Sequence, residues 1–196
     1  MKKNKNVLLI LLAMVFIIPA FQGCKKGEND PFLSLLSRKA RLTGTWNLTK
    51  ADISGVSGGS TWTNIYDGTN WIYTQGSYID TSQGSVEVTF DKAGTYKTTT
   101  ITIHPTYTNT DTEEGNWTFG RRNKESDYKN KECVILETTK TTSTGGGTTT
   151  YEGANCPIQV MVIDELKNKE LIVKTDGSLT STSTSTQEGT KTFEKK

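Results

Sequence analysis

Apolar and polar residues alternate with a period of two in short blocks along most of the chain. That is the spacing of strands with one buried face. The first strand opens at Trp46 and runs over residues 47–53. Residues 54–84 follow, punctuated by Gly55, Gly58, Gly59, Gly68, Gly76 and Gly84 and dense in aromatics. A stretch of that length without regular structure is uncommon in a compact domain, so strands are expected within it at 61–65 and 71–78. Residues 85–90 alternate cleanly, with Val86, Val88 and Phe90 on one side, and Gly94 ends a turn over 91–94. The chain returns as a strand over 95–103, where parity slips between Tyr96/Thr98 and Ile101/Ile103, the signature of a bulge. An acidic turn region is expected over 108–115. A strand over 116–121 then presents Trp117 and Phe119 together. Residues 132–137 form a nearly continuous apolar run, suited to a strand covered on both faces. The Thr-rich stretch 138–150 around Gly145, Gly146 and Gly147 reads as a long hairpin tip. Strands at 156–163 and 171–174, joined by a turn, precede a Ser/Thr tract over 179–187 and a closing strand over 190–194 with Phe193. The total is eight to ten strands linked by hairpins. Closing them on themselves removes the exposed edges that so many short strands would leave. The expected fold is therefore all-β, an antiparallel up-and-down barrel of about eight strands in a domain over residues 31–196. Its inward sets are Val86, Val88 and Phe90; Tyr96 and Thr98; Trp117 and Phe119; and Val134, Leu136, Val160 and Val162.

The N-terminal residues follow a different logic. Lys2, Lys3 and Lys5 precede an uncharged apolar run over 7–18, too short to span a bilayer comfortably, so residues 1–23 read as a signal peptide. Gly23-Cys24 after that run resembles a bacterial lipobox, with Phe21 where Leu is usual. Cys24 then becomes the acylated first residue of the mature chain and its membrane anchor. The alternative is an ordinary secretory signal with an incidental cysteine. Residues 24–30 are a polar, flexible tether. Asp30-Pro31 reads as a helix start, an N-cap acid with proline at the first turn. Phe32, Leu33, Leu35 and Leu36 continue at helical spacing, and Arg38, Lys39 and Arg41 suit the C-terminal end of the helix dipole. This gives one short N-terminal helix, placed across an end of the barrel.

Charge narrows the function classes. The formal net charge is +2 over 196 residues. Removing the three lysines of the leader leaves 20 bases against 21 acids, so no basic footprint for nucleic acid is present. His104 is the only histidine, which excludes a multi-histidine metal site, and no G-x-S-x-G elbow accompanies it. Glu113-Glu114 are adjacent, so on a strand they face opposite ways, and a solvated turn is the simpler reading. No Lys-Ser/Thr follows the glycines at 145–147 to make a phosphate loop. No catalytic residue set and no cofactor is expected.

The run Leu42-x-Gly44-x-Trp46, then Val86-x-Val88-x-Phe90 with Gly94-x-Tyr96, then Gly115-x-Trp117, resembles the lipocalin-like lipoproteins of Bacteroidetes. Residues 163–166 with 169–171, and the closing residues 192–195, continue that order. The resemblance implies an up-and-down barrel on an acylated N-terminus in the bacterial cell envelope, at the outer membrane, with no catalytic residues to carry over. Gly44 and Trp46 are expected to close one end of the barrel: the glycine lets the chain turn and the indole seals the end against the helix. A small apolar or amphipathic ligand is expected at the open end, with Phe90, Tyr96, Trp117 and Phe119 as candidate contacts and Tyr96 as hydrogen-bond donor. A second function class is a glycan-binding surface on Trp62, Tyr66, Trp71, Tyr73 and Tyr78. A third is a filled barrel acting as a scaffold. Cys133 and Cys156 are a candidate disulfide across the Thr-rich hairpin, which would contribute about 2–4 kcal/mol.

Overall fold

The computed structural model describes residues 36–120, 132–153, 156, 158–176 and 186–196. Among them run one helix, α1 (Arg38–Leu42), and eleven strands: β1 (Gly44–Ser57), β2 (Ser60–Tyr66), β3 (Asn70–Gln75), β4 (Tyr78–Phe90), β5 (Thr95–Ile103), β6 (Thr108–Phe119), β7 (Cys133–Ser143), β8 (Thr149–Glu152), β9 (Ile158–Leu166), β10 (Glu170–Asp176) and β11 (Thr186–Lys195). Every pairing is antiparallel, and the sheet closes through β6–β7 and β1–β11. Ten strands make the ring, and β8 adds to the free upper part of β7. The chain is an up-and-down β-barrel.

The barrel has two circumferences. At its lower end Gly44–Asn47 of β1 pairs directly with Glu87–Phe90 of β4, so the ring there holds eight strands. Higher up, β1 and β4 part and the hairpin β2–β3 fills the gap, pairing with β1 on one side and β4 on the other. The fork is held by side chains that the intervening sequence supplies. Tyr66 is buried and its hydroxyl donates to the Gly84 carbonyl at 2.8 Å, with its ring 4.7 Å from that of Trp71. Asp67 accepts the Thr69 and Asn70 amides and so fixes the hairpin turn.

Pairing partners directly opposite one another share a face, so the registers assign the interior. The lower end is packed apolar core: Trp46, Phe90, Leu166, Leu171 and Phe193 are all at most 3% exposed. Trp117 stands edge-on to both Phe90 and Phe119 at 5.7 and 5.5 Å. Helix α1 covers this end. It is capped by Ser37, whose Oγ accepts the Ala40 amide at 3.1 Å; the helix start expected at Asp30-Pro31 lies, with residues up to 35, outside the described residues. Its two arginines are buried instead of serving as surface cations: the Arg41 guanidinium donates to the Leu166 carbonyl, which ties the helix to β9.

Four other expectations are corrected by the register. The β5 ladders run unbroken through residues 95–103, so there is no bulge. Tyr96, Thr98, Thr100 and Thr102 face in, and Ile101 and Ile103 face out. Residues 108–115 are strand rather than turn, because β6 pairs with β5 without interruption over residues 108–116. On β9 the residues opposite inward Leu136 and Val134 are Gln159 and Met161, so Val160 and Val162 face outward. The disulfide is not formed. Cys133 lies opposite Val162 within β9, whereas Cys156 precedes β9 and its thiol donates to the Tyr151 carbonyl at 3.6 Å. Both thiols are free, and burial pushes that of Cys133 up.

Candidate functional site

Above the apolar core the barrel encloses a cavity of about 480 Å³. Its floor is apolar, made by Leu48, Val88, Leu136, Met161 and Phe193, with Trp71 on the side of the inserted hairpin. The walls are polar. Asp111 and Glu113 project from β6, Gln159 from β9, and Gln187 and Lys191 from β11. Counting by two explains why. From Trp117 the inward positions of β6 run back through Gly115 to Glu113 and Asp111. From Phe193 the inward positions of β11 run back to Lys191, Gly189 and Gln187.

The polar groups are held in place. Asn109 Nδ2 donates to Asp111 Oδ2 at 2.7 Å, and Ser143 Oγ donates to Asn109 Oδ1 at 3.2 Å. Gln159 Nε2 donates to Glu113 Oε2 at 3.0 Å. The neighbouring Glu114 points the other way and pairs with Lys97 on the outer surface at 2.8 Å. Lys191 is different: among the described residues its ammonium has no hydrogen-bond or ion-pair partner. Burial lowers its pKa, and the negative charge of Glu113 acts in the opposite sense.

The four contacts expected at the open end sit elsewhere. Phe90, Trp117 and Phe119 belong to the lower end, where Trp117 Nε1 donates to the Asp91 carbonyl at 3.0 Å. Tyr96 is 3% exposed, and its hydroxyl is hydrogen-bonded to Thr138 Oγ1 at 2.6 Å, so the phenol already has its partner within the wall. Burial raises the Tyr96 pKa, which opposes ionisation of that phenol. None of the four lines the cavity. Gly44 and Trp46 are at the closed end. Gly44 adopts φ +129°, and a Cβ there would lie 2.6 Å from Lys195 Cε. Trp46 is fully buried, donates from Nε1 to the Leu42 carbonyl at 2.7 Å, and carries the Lys195 ammonium 5.1 Å above its ring.

The aromatics of the inserted hairpin do not form a flat exposed platform. Trp62 and Tyr73 lie 6.3 Å apart at 26°, Tyr73 meets Tyr78 at 64°, and only Tyr78 among the five is widely exposed, at 60%. A wider groove of about 810 Å³ crosses the outside of β1, β11, β10 and β9. It is an open groove on the outer surface, with Asp164 and Lys174 paired across it at 2.7 Å. The interior cavity has the concave, part-apolar lining that small-molecule sites share, and its volume lies in their usual range of roughly 300–1,000 Å³. His104 stacks on Tyr107 in the β5–β6 turn, away from the cavity lining. Among the described residues no three His, Cys, Asp or Glu side chains converge as metal ligands.

Fold and site together define a closed β-barrel with a partly polar lumen. Compared with protein-family models, with curated proteins and with solved structures, the chain matches none.

Proposed function

We propose that this chain is a binding protein that holds a small amphipathic molecule inside its barrel, as a lipocalin-like lipoprotein anchored to the cell envelope, at the outer membrane, through acylated Cys24. The observation that carries the reading is the lumen: an apolar floor under a ring of fixed polar side chains, in a volume a small ligand fills. The apolar part of such a molecule would rest on Leu48, Val88, Leu136 and Phe193. Its polar part would meet Asp111, Glu113, Gln159 and Lys191. The aromatic pairs of β2 and β3 favour this site over a surface glycan platform, because Tyr66 and Trp71 are opposite one another on the inner face of the hairpin and Trp62 and Tyr73 share that face.

The purified chain is expected to quench or shift its tryptophan emission on titration with the neutral apolar fluorophore N-phenylnaphthylamine, since Trp71 lines the cavity. Native mass spectrometry is expected to find a small molecule bound. A chain that carries no small molecule and gives no saturable response contradicts the reading. The anchor is tested separately. Cys24→Ala is expected to move the protein from the detergent phase to the aqueous phase, or to leave it unprocessed. A processed variant that stays with the membrane contradicts acylation at this cysteine.

A further inference from the structure

The lumen is electrically polarised across its width. At the level of the cavity the ring has ten strands, and β6 and β11 stand on different sides of it: four strand steps separate them through β7, β9 and β10, and six through β5, β4, β3, β2 and β1. Asp111 and Glu113 therefore face Lys191 across the cavity they share. Each carboxylate has one oxygen fixed by an amide, from Asn109 or Gln159. Among the described residues neither Asp111 Oδ1 nor Glu113 Oε1 makes a hydrogen bond, and Lys191 makes none either. Among the described residues no ion pair bridges the two walls, although the charge of Glu113 is felt at Lys191. Between them, below, lies the apolar floor.

We propose that the cavity takes a zwitterionic ligand with an apolar side chain, of the amino-acid or short-peptide class, its carboxylate on Lys191 and its ammonium against Asp111 and Glu113. The inference rests on the cavity being the binding site and adds the chemical class of its occupant. A simple anion entering the lumen meets Lys191 on one wall but the two carboxylates on the other. A simple cation meets the reverse. Each gives up hydration and gains one attraction against one repulsion, which in a low-dielectric lumen are of similar size. A molecule carrying both charges a few ångströms apart satisfies both walls at once, and complementarity of this kind sets selectivity more than raw affinity. The floor then takes an aliphatic or aromatic side chain.

The test is calorimetric titration of the full chain with four compounds that share one aromatic ring: phenylalanine, phenylalaninamide, N-acetylphenylalanine, and N-acetylphenylalaninamide. They carry both charges, the cation alone, the anion alone, and neither. Phenylalanine is expected to bind about tenfold or more tighter than the amide or the N-acetyl compound, the loss of one charge-assisted hydrogen bond, and tighter than the neutral compound by at least as much. Lys191→Met is expected to abolish the preference for phenylalanine over its amide, and Lys191→Arg to keep it. Glu113→Gln is expected to shrink the preference over the N-acetyl compound. A variant that does not fold is recognised by its circular dichroism, and the four-compound series on the unmutated chain decides the question alone. If N-phenylnaphthylamine binds but phenylalanine binds no better than the neutral compound, the charge inference is overturned and the binding site stands. If N-phenylnaphthylamine also fails to bind, the site itself is overturned.

Discussion

Trp46→Ala is expected to cost about 3–5 kcal/mol of folding stability, the range for truncating a fully buried tryptophan. The indole is entirely out of solvent, packed in the closed end of the barrel with its Nε1 on the Leu42 carbonyl. Removing it empties the one place where helix, β1, β4 and β11 converge, and leaves a buried carbonyl without its donor. Natural domains have a margin of about 5–15 kcal/mol, so the variant gives up a large part of it. At this chain length the corresponding fall in Tm is about 6–20 °C. Trp62→Ala, on the partly exposed inserted hairpin, is expected to cost much less. Thermal unfolding followed by circular dichroism checks both. Equal losses would contradict the assignment of Trp46 as the seal of the closed end.

The second large effect is on binding. Thr98 lies inward on β5, opposite Val88 on one side and Glu113 on the other, and lines the cavity. Thr98→Phe places a ring in space that is now free, so it is expected to weaken N-phenylnaphthylamine binding by about tenfold or more while leaving stability close to that of the parent. The matched control is Thr118→Phe, which adds the same ring to an exposed position on β6. Its binding is expected to equal that of the parent. Equal weakening in the two variants, or none in either, would contradict an interior site.

Much of this fold was legible because the apolar residues keep strict parity near the closed end. Val86, Val88 and Phe90, or Trp117 and Phe119, declare their inner face unaided, and Gly44-x-Trp46 marks the seal. The lumen was harder to see because its lining breaks the rule that inward means apolar. Asp111, Glu113 and Lys191 look like solvated surface when each is judged by its own polarity. Only the count by two from Trp117 and from Phe193 reveals that they face in. Ile101 and Ile103 misled in the opposite way: their hydrophobicity suggested an inner face and hence a bulge, yet they lie on the outside of β5. The fork between β1 and β4 depends on pairing residues more than forty apart in the chain, Gly44 with Phe90, which no local pattern encodes. The register of β7 with β9 is equally non-local, and it is what separates Cys133 from Cys156.

One side chain reports on the central claim without disturbing it. Met161 lines the cavity, and of the three methionines in the sequence it is the only one beyond Cys24. In protein labelled with carbon-13 at the methionine methyl and processed at that cysteine, its resonance can be followed by nuclear magnetic resonance while N-phenylnaphthylamine is added. The interior site predicts a Met161 methyl shift that saturates together with the fluorescence response and is lost in Thr98→Phe. A fluorescence response that saturates while the Met161 methyl stays where it was would place the ligand outside the barrel and contradict the account.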